Sequence, residues 1–165
     1  MKLYVNEKLF SIHNKFYVKD ENEQDVYEIS SKVFSIGAKT TISDMSGNKV
    51  AYIAQEIFHL TPHYNVFVND QKICQIKKKF QLMKNDYELT NGYRVEGNIF
   101  AYDFVIYDNT DTPIGSIKRA LISIGDKYEI EIFDETKLNI VLAIIVAITN
   151  DINRSQNSVD VSSND

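Results

Sequence analysis

Four segments of this chain repeat one apolar spacing, and few folds can use such a unit four times. They are Val26-Tyr-Glu-Ile29-Ser-Ser-Lys-Val33, Val50-Ala-Tyr-Ile53-Ala-Gln-Glu-Ile57, Ile73-Cys-Gln-Ile76-Lys-Lys-Lys-Phe80 and Ile114-Gly-Ser-Ile117-Lys-Arg-Ala-Leu121. Each reads apolar, two residues, isoleucine, three residues, apolar. Asp20, Asp44 and Asp108 stand six residues before the first apolar position of three of them, while Asp70 precedes the remaining unit by a shorter connection. The apolar spacing alone would also suit one face of a helix. Composition decides for strands, because the segments are rich in Val, Ile, Phe and Tyr and are bounded by turn clusters such as Asp-Met-Ser-Gly-Asn-Lys. Two residues after each repeated isoleucine the side chain is polar: Ser31, Gln55, Lys78 and Arg119. Strict alternation would aim these inward, so a bulge is expected there to turn them out. Bent strands at regular spacing are what a small sheet needs to curl shut.

Further runs agree. Tyr64–Val68, Tyr87–Leu89, Tyr93–Val95, Phe104–Tyr107 and Tyr128–Phe133 read as strands, the last alternating apolar with acidic residues so that one face is wet. About ten to twelve short strands precede residue 134. The pattern then changes: Asp134-Glu-Thr-Lys137 offers a helix start, and residues 138–148 carry no charge. About 15 helical residues span about 22 Å, short of the roughly 30 Å of a bilayer core, so a membrane span is disfavoured. A helix apolar all round belongs inside a protein, and the interior of the curled sheet is the place for it. The expected fold is therefore mainly β: a closed antiparallel barrel wrapped around a hydrophobic C-terminal helix. One domain is expected over residues 1–153, with the helix at 136–152 and a disordered polar tail at 154–165.

This combination resembles the LURP-one-related family of the tubby C-terminal-like superfamily, which includes the phospholipid scramblases. The resemblance rests on the Asp-turn-apolar-x-x-Ile repeat, the stretch Gly97-Asn-Ile-Phe-Ala-Tyr-Asp-Phe104, and the last helix with Asn150-Asp151 after its apolar part. It implies a twelve-stranded barrel around a central helix. Tubby domains bind membrane phosphoinositides through basic residues, but their lipid-binding motif does not align here. The Pro-rich and Cys-rich N-terminal region of the scramblases has no counterpart, Met1–Tyr17 being too short to hold it.

Charge limits the partners. Lys+Arg 18 against Asp+Glu 23 gives a net charge of -5, the opposite of a dedicated nucleic-acid binder. A single cysteine fits a reducing compartment, and with no secretory h-region at the N-terminus a cytoplasmic protein is expected. The densest basic cluster is Lys77-Lys78-Lys79, flanked by Lys72 and Lys84, with Lys118 and Arg119 at the matching place in the fourth unit. These are the candidate lipid-binding residues, a basic rim for anionic phospholipid or phosphoinositide headgroups; lysines that guard a strand edge would look the same. His59-Leu-Thr-Pro-His63 has the i, i+4 spacing of two ligands, yet Pro62 argues for a turn and no third ligand is evident in the sequence. His13 stands alone, Cys74 occupies an apolar position, and Asp20, Asp44 and Asp108 suit turn capping better than paired-carboxylate chemistry. Gly37 and Gly125 occupy the same place in two Ser-Ile-Gly-x-Lys strings and fit a positive φ. No catalytic motif, cofactor or metal site is expected. The reading is a non-enzymatic binding module, peripheral at anionic membranes; the alternative is an adaptor contacting a protein through aromatics such as Tyr93 or Tyr102.

Overall fold

The computed structural model describes residues 1–6, 15–32, 37–81, 84–120 and 127–162, with side chains at 80–86 and from 156 onward outside that description. Twelve strands run in chain order: β1 (Lys2–Asn6), β2 (Lys15–Lys19), β3 (Asp25–Lys32), β4 (Lys39–Asp44), β5 (Lys49–Glu56) and β6 (His63–Val68), then β7 (Gln71–Gln81), β8 (Lys84–Leu89), β9 (Arg94–Asn98), β10 (Asp103–Tyr107), β11 (Pro113–Arg119) and β12 (Lys127–Ile132). All join one antiparallel sheet in the order β8-β7-β6-β5-β4-β3-β2-β1-β12-β11-β10-β9. Sequential neighbours other than β8 and β9 pair, and β1 also pairs β12, with Leu3 opposite Ile130 and Val5 opposite Tyr128. Among the described residues β8 and β9 share no ladder, so the barrel is nearly closed and its seam lies between them.

The four repeat units are β3, β5, β7 and β11. In three of them the aspartate upstream folds the hairpin by one device. Asp20 Oδ1 accepts from the backbone N–H of Asn22 and Gln24, Asp44 Oδ1 from Ser46 and Asn48, and Asp108 Oδ1 from Thr110 and Thr112. The residue three positions after each aspartate takes a positive φ: Glu23, Gly47 and Asp111. Beside each of these turns the ladder slips by one residue, at Val18/Lys19, Ile42/Ser43 and Ile106/Tyr107. The shorter β6–β7 connection turns on Asn69 and Asp70, both at positive φ, as a two-residue hairpin requires.

The bulges therefore sit beside the turns, not at the polar positions where the sequence suggested them. Ser31 faces Thr40, Gln55 faces Tyr64, Lys78 faces Tyr87 and Arg119 faces Tyr128 without a register shift. Alternation is kept, and these four residues continue the inward-facing column of their strands.

What fills the barrel is α1 (Leu138–Ser162). Asp134 caps the 3-10 turn Glu135–Lys137 that leads into it, its side chain accepting from the Thr136 N–H. Val141 through Thr149 are all buried, surrounded by Ile29, Ile42, Ile53, Ile76, Ile106, Ile117 and Ile130 of the wall. Each fully buried Leu or Ile of this segment contributes about 1.5–3 kcal/mol. Gly115 admits the helix: a Cβ there would lie 2.5 Å from Val141 Cγ1. Gly37 has the expected positive φ, 79°. Gly125 lies outside the described residues, as do His13, Ser35, Ile36 and the rest of the second Ser-Ile-Gly-x-Lys string up to Asp126. The helix continues to Ser162, so the polar stretch expected to be disordered from residue 154 is mostly helical. Residues 153–162 contain neither proline nor glycine to stop it.

Candidate functional site at the loop end

Up-and-down topology gives the barrel two different ends. One, the turn end, carries the Asp20, Asp44, Asn69-Asp70 and Asp108 hairpins and the start of α1. At the other, the loop end, lie the connections after β1, β3, β5, β7, β9 and β11 and the polar part of α1. All the sequence-predicted basic residues of β7 from Lys77 onward fall toward the loop end, but the pleat separates them.

Lys78 points inward. Its ammonium lies 2.8 Å from Asp151 Oδ2 and donates to Ser155 Oγ at 3.0 Å. Asp151 is 2% exposed and also accepts from the hydroxyls of Tyr64, at 2.8 Å, and Tyr87, at 2.7 Å. Burial, then the Asp151 charge, pushes both phenols well above their ordinary range, so they remain protonated donors. The other inward polar residues meet the helix similarly. Arg154 donates to Gln55 Oε1 at 2.7 Å, and Asn150 donates to Thr40 Oγ1, which is itself bonded to Ser31. Tyr102 donates to Asn153. A polar layer thus ties the helix to the wall where its apolar part ends, and Lys78 belongs to that layer, not to an accessible basic rim.

Lys77 and Lys79 project from the outer wall. Lys77 pairs across the ladder with His63 and Glu88, and Lys79 lies 3.7 Å from Glu88. Lys72, toward the turn end of the same strand, is exposed. The Lys84 side chain lies outside the described residues. Lys118 stands on β11, with β8, β9 and β10 between it and β7, and shares Glu129 with Lys2; Arg119 is next to it, exposed at the end of β11. The six described basic side chains do not form one patch.

Beside Lys77 stands a feature the sequence reading missed. The β5–β6 connection puts Phe58 and Leu60 in water, 97% and 107% exposed, with Ile57 at 42%. Phe58 is held at φ 73°, a left-handed conformation costing a bulky residue about 1–2 kcal/mol. Phe100, in the β9–β10 connection of the same end, is 53% exposed. Tyr93 and Tyr102, the aromatics expected to reach a partner, are instead half-buried: Tyr93 lies under Lys137 and Tyr102 packs on Tyr128.

The same connection folds His59 back onto His63, their rings stacked with centroids 4.0 Å apart. Glu56 completes the cluster as the third potential ligand, its Oε2 lying 2.8 Å from His59 Nε2. Asn65 donates to the other carboxylate oxygen at 2.6 Å. Burial, and secondarily the charges of His59 and Lys77, lowers the His63 pKa. Cys74 is no nucleophile: it is buried on the inner face, and burial pushes its thiol up to about 12. Asp108 is committed to the fold, its Oδ2 accepting from Lys137 at 2.6 Å, and that bond, with those from Thr110, holds its carboxyl far below the ordinary range. No described helix is long and apolar enough to cross a membrane.

Known proteins are similar to this chain, one in sequence and one in fold. The uncharacterized protein YxjI of Bacillus subtilis (strain 168) is 24% identical over 149 residues, covering 90% of this chain and 91% of that one. The X-ray structure of a protein from Arabidopsis thaliana is similar in fold, with a TM-score of 0.65 at 16% identity over 90% of this chain and 89% of that one. Neither name assigns a reaction. The family model for LURP-one-related proteins matches residues 1–149, which include all twelve strands and the buried apolar part of α1, and the chain belongs to that family.

Proposed function

We propose that this protein is a non-enzymatic binding module that docks its loop end on anionic membranes from the cytoplasmic side. The observation carrying this reading is the pair Phe58 and Leu60, exposed at the tip of a connection whose neighbouring strand presents Lys77 and Lys79. An apolar tip beside basic side chains is the combination that peripheral binding uses: the apolar groups enter the boundary between headgroups and acyl chains, and each lysine near the surface contributes about 1 kcal/mol. The interior supports a binding role over catalysis, since α1 occupies the space where a barrel would hold a substrate.

Sequence composition offers a direct test. The chain has no tryptophan, so Phe58→Trp places a single reporter at the tip. Its emission should shift to shorter wavelength with phosphatidylserine or phosphoinositide vesicles at low salt, and not with phosphatidylcholine. Emission unmoved by every vesicle would contradict the membrane reading and assign the exposed tip to a protein partner.

A further inference from the structure

We propose that Glu56, His59 and His63 form a site for one divalent transition cation of the zinc type on the outer wall at the loop end. The three residues offer one carboxylate oxygen and two imidazole nitrogens, and these donor atoms all lie within 4.8 Å of one another. In a tetrahedral site with bonds of 2.0–2.2 Å the donors stand roughly 3.3–3.6 Å apart, so modest side-chain adjustment around a cation closes the set. The supporting geometry is already built. Asn65 holds one oxygen of Glu56 and is itself bonded by Gln75 at 3.4 Å, which leaves the other oxygen turned toward His59. Such outer partners are what orient metal ligands.

His63 supplies a second, independent observation. Its Nδ1 is buried and has no hydrogen-bond partner among the described residues. Buried polar atoms are rarely left so, and a cation would give this nitrogen the partner it lacks. The positive surroundings choose between cations. Lys77 acts on His63 and Lys72 on Glu56, so an ion held mainly by field is disfavoured. Ca2+ and Mg2+ need several oxygen donors, and this site has one carboxylate. Two imidazoles and a carboxylate instead suit Zn2+ and its neighbours, with a fourth position left for water.

The test is calorimetric titration of the full chain with ZnCl2 in a non-coordinating buffer at neutral pH, with MgCl2 as the second probe and no lipid present, so the outcome is separate from the membrane reading. One Zn2+ per chain is expected, with affinity weakened at least tenfold in His59→Ala, His63→Ala and Glu56→Gln, unchanged in His13→Ala, and no heat from MgCl2. His59 lies on an exposed connection, so its variant should keep the wild-type circular dichroism and its loss of uptake would report ligation alone. Absence of Zn2+ uptake, or uptake undiminished in His59→Ala and His63→Ala, would overturn the proposal. Co2+ bound at the site should give the visible absorption of a tetrahedral ion in the wild type and lose it in His63→Ala; the same spectrum in both would also overturn it.

Discussion

The two ends of the barrel are closed by different physics. At the turn end three hairpins are each folded by their own aspartate, which captures backbone N–H groups two and four residues ahead. The loop end is tied by side chains that come from distant parts of the chain: Lys78 to Ser155 across 77 residues, Gln55 to Arg154 across 99, Thr40 to Asn150 across 110. Local closure needs only a turn, whereas closure at the loop end needs the helix in place. The loop end is therefore where loss of one group disturbs the whole barrel, and also where the exposed apolar tip and the stacked histidines are found.

Asp151→Ala should break this contrast most strongly. It strands the Lys78 ammonium and two buried phenols, and losing one partner of a buried pair costs about 3–5 kcal/mol, readable as a fall in the urea midpoint. Gly115→Val drives a side chain into Val141 and the Glu131 carbonyl; overpacking of this kind costs about 1–3 kcal/mol, and the same denaturation series measures it. Lys78→Met leaves Asp151 with its two tyrosines and should cost about 2 kcal/mol, while Lys77→Met, one residue away on the outer face, should stay within about 0.5 kcal/mol. Equal effects of the two lysines would erase the distinction between inner and outer faces of β7.

Asp108 sharpens the comparison at the turn end, because it is the one repeat aspartate that also holds the helix start. Its folded pKa is depressed, first by the Lys137 bond. Such a group stabilises the fold above its ordinary value of 3.8, and that stabilisation is lost as pH falls below it toward the lower folded value. Thermal midpoints taken from pH 6 down to pH 3 should therefore drop more steeply in the wild type than in Asp108→Asn. Parallel curves would show that the pair contributes nothing to stability.

The same contrast explains what the sequence discloses. Asp20, Asp44 and Asp108 are legible because turn capping is completed within four residues, and the helix from Leu138 is legible because an uncharged apolar run can only be buried. Ser31, Gln55 and Lys78 are not, because their partners lie on a helix far along the chain; without those partners an outward bulge is the natural reading. The helix beyond residue 154 is not legible for a related reason, since polar composition hides a helix that merely continues one already anchored. Glu56 is not legible as a third ligand beside His59 and His63, because only the fold of the 57–62 connection brings the three together. Phe58 and Leu60 sit in a run that reads as ordinary strand and turn, and nothing in their spacing signals exposure.

The most direct test of the account is co-sedimentation with phosphatidylserine vesicles of Lys77→Glu/Lys79→Glu against Lys78→Met, each compared with the wild type at equal folded concentration. The outer-face pair should lose binding while keeping the wild-type unfolding midpoint, and Lys78→Met should keep binding while its midpoint falls. Binding lost with Lys78→Met and retained by the outer-face variant would contradict the assignment of Lys78 to the fold and of Lys77 and Lys79 to the membrane.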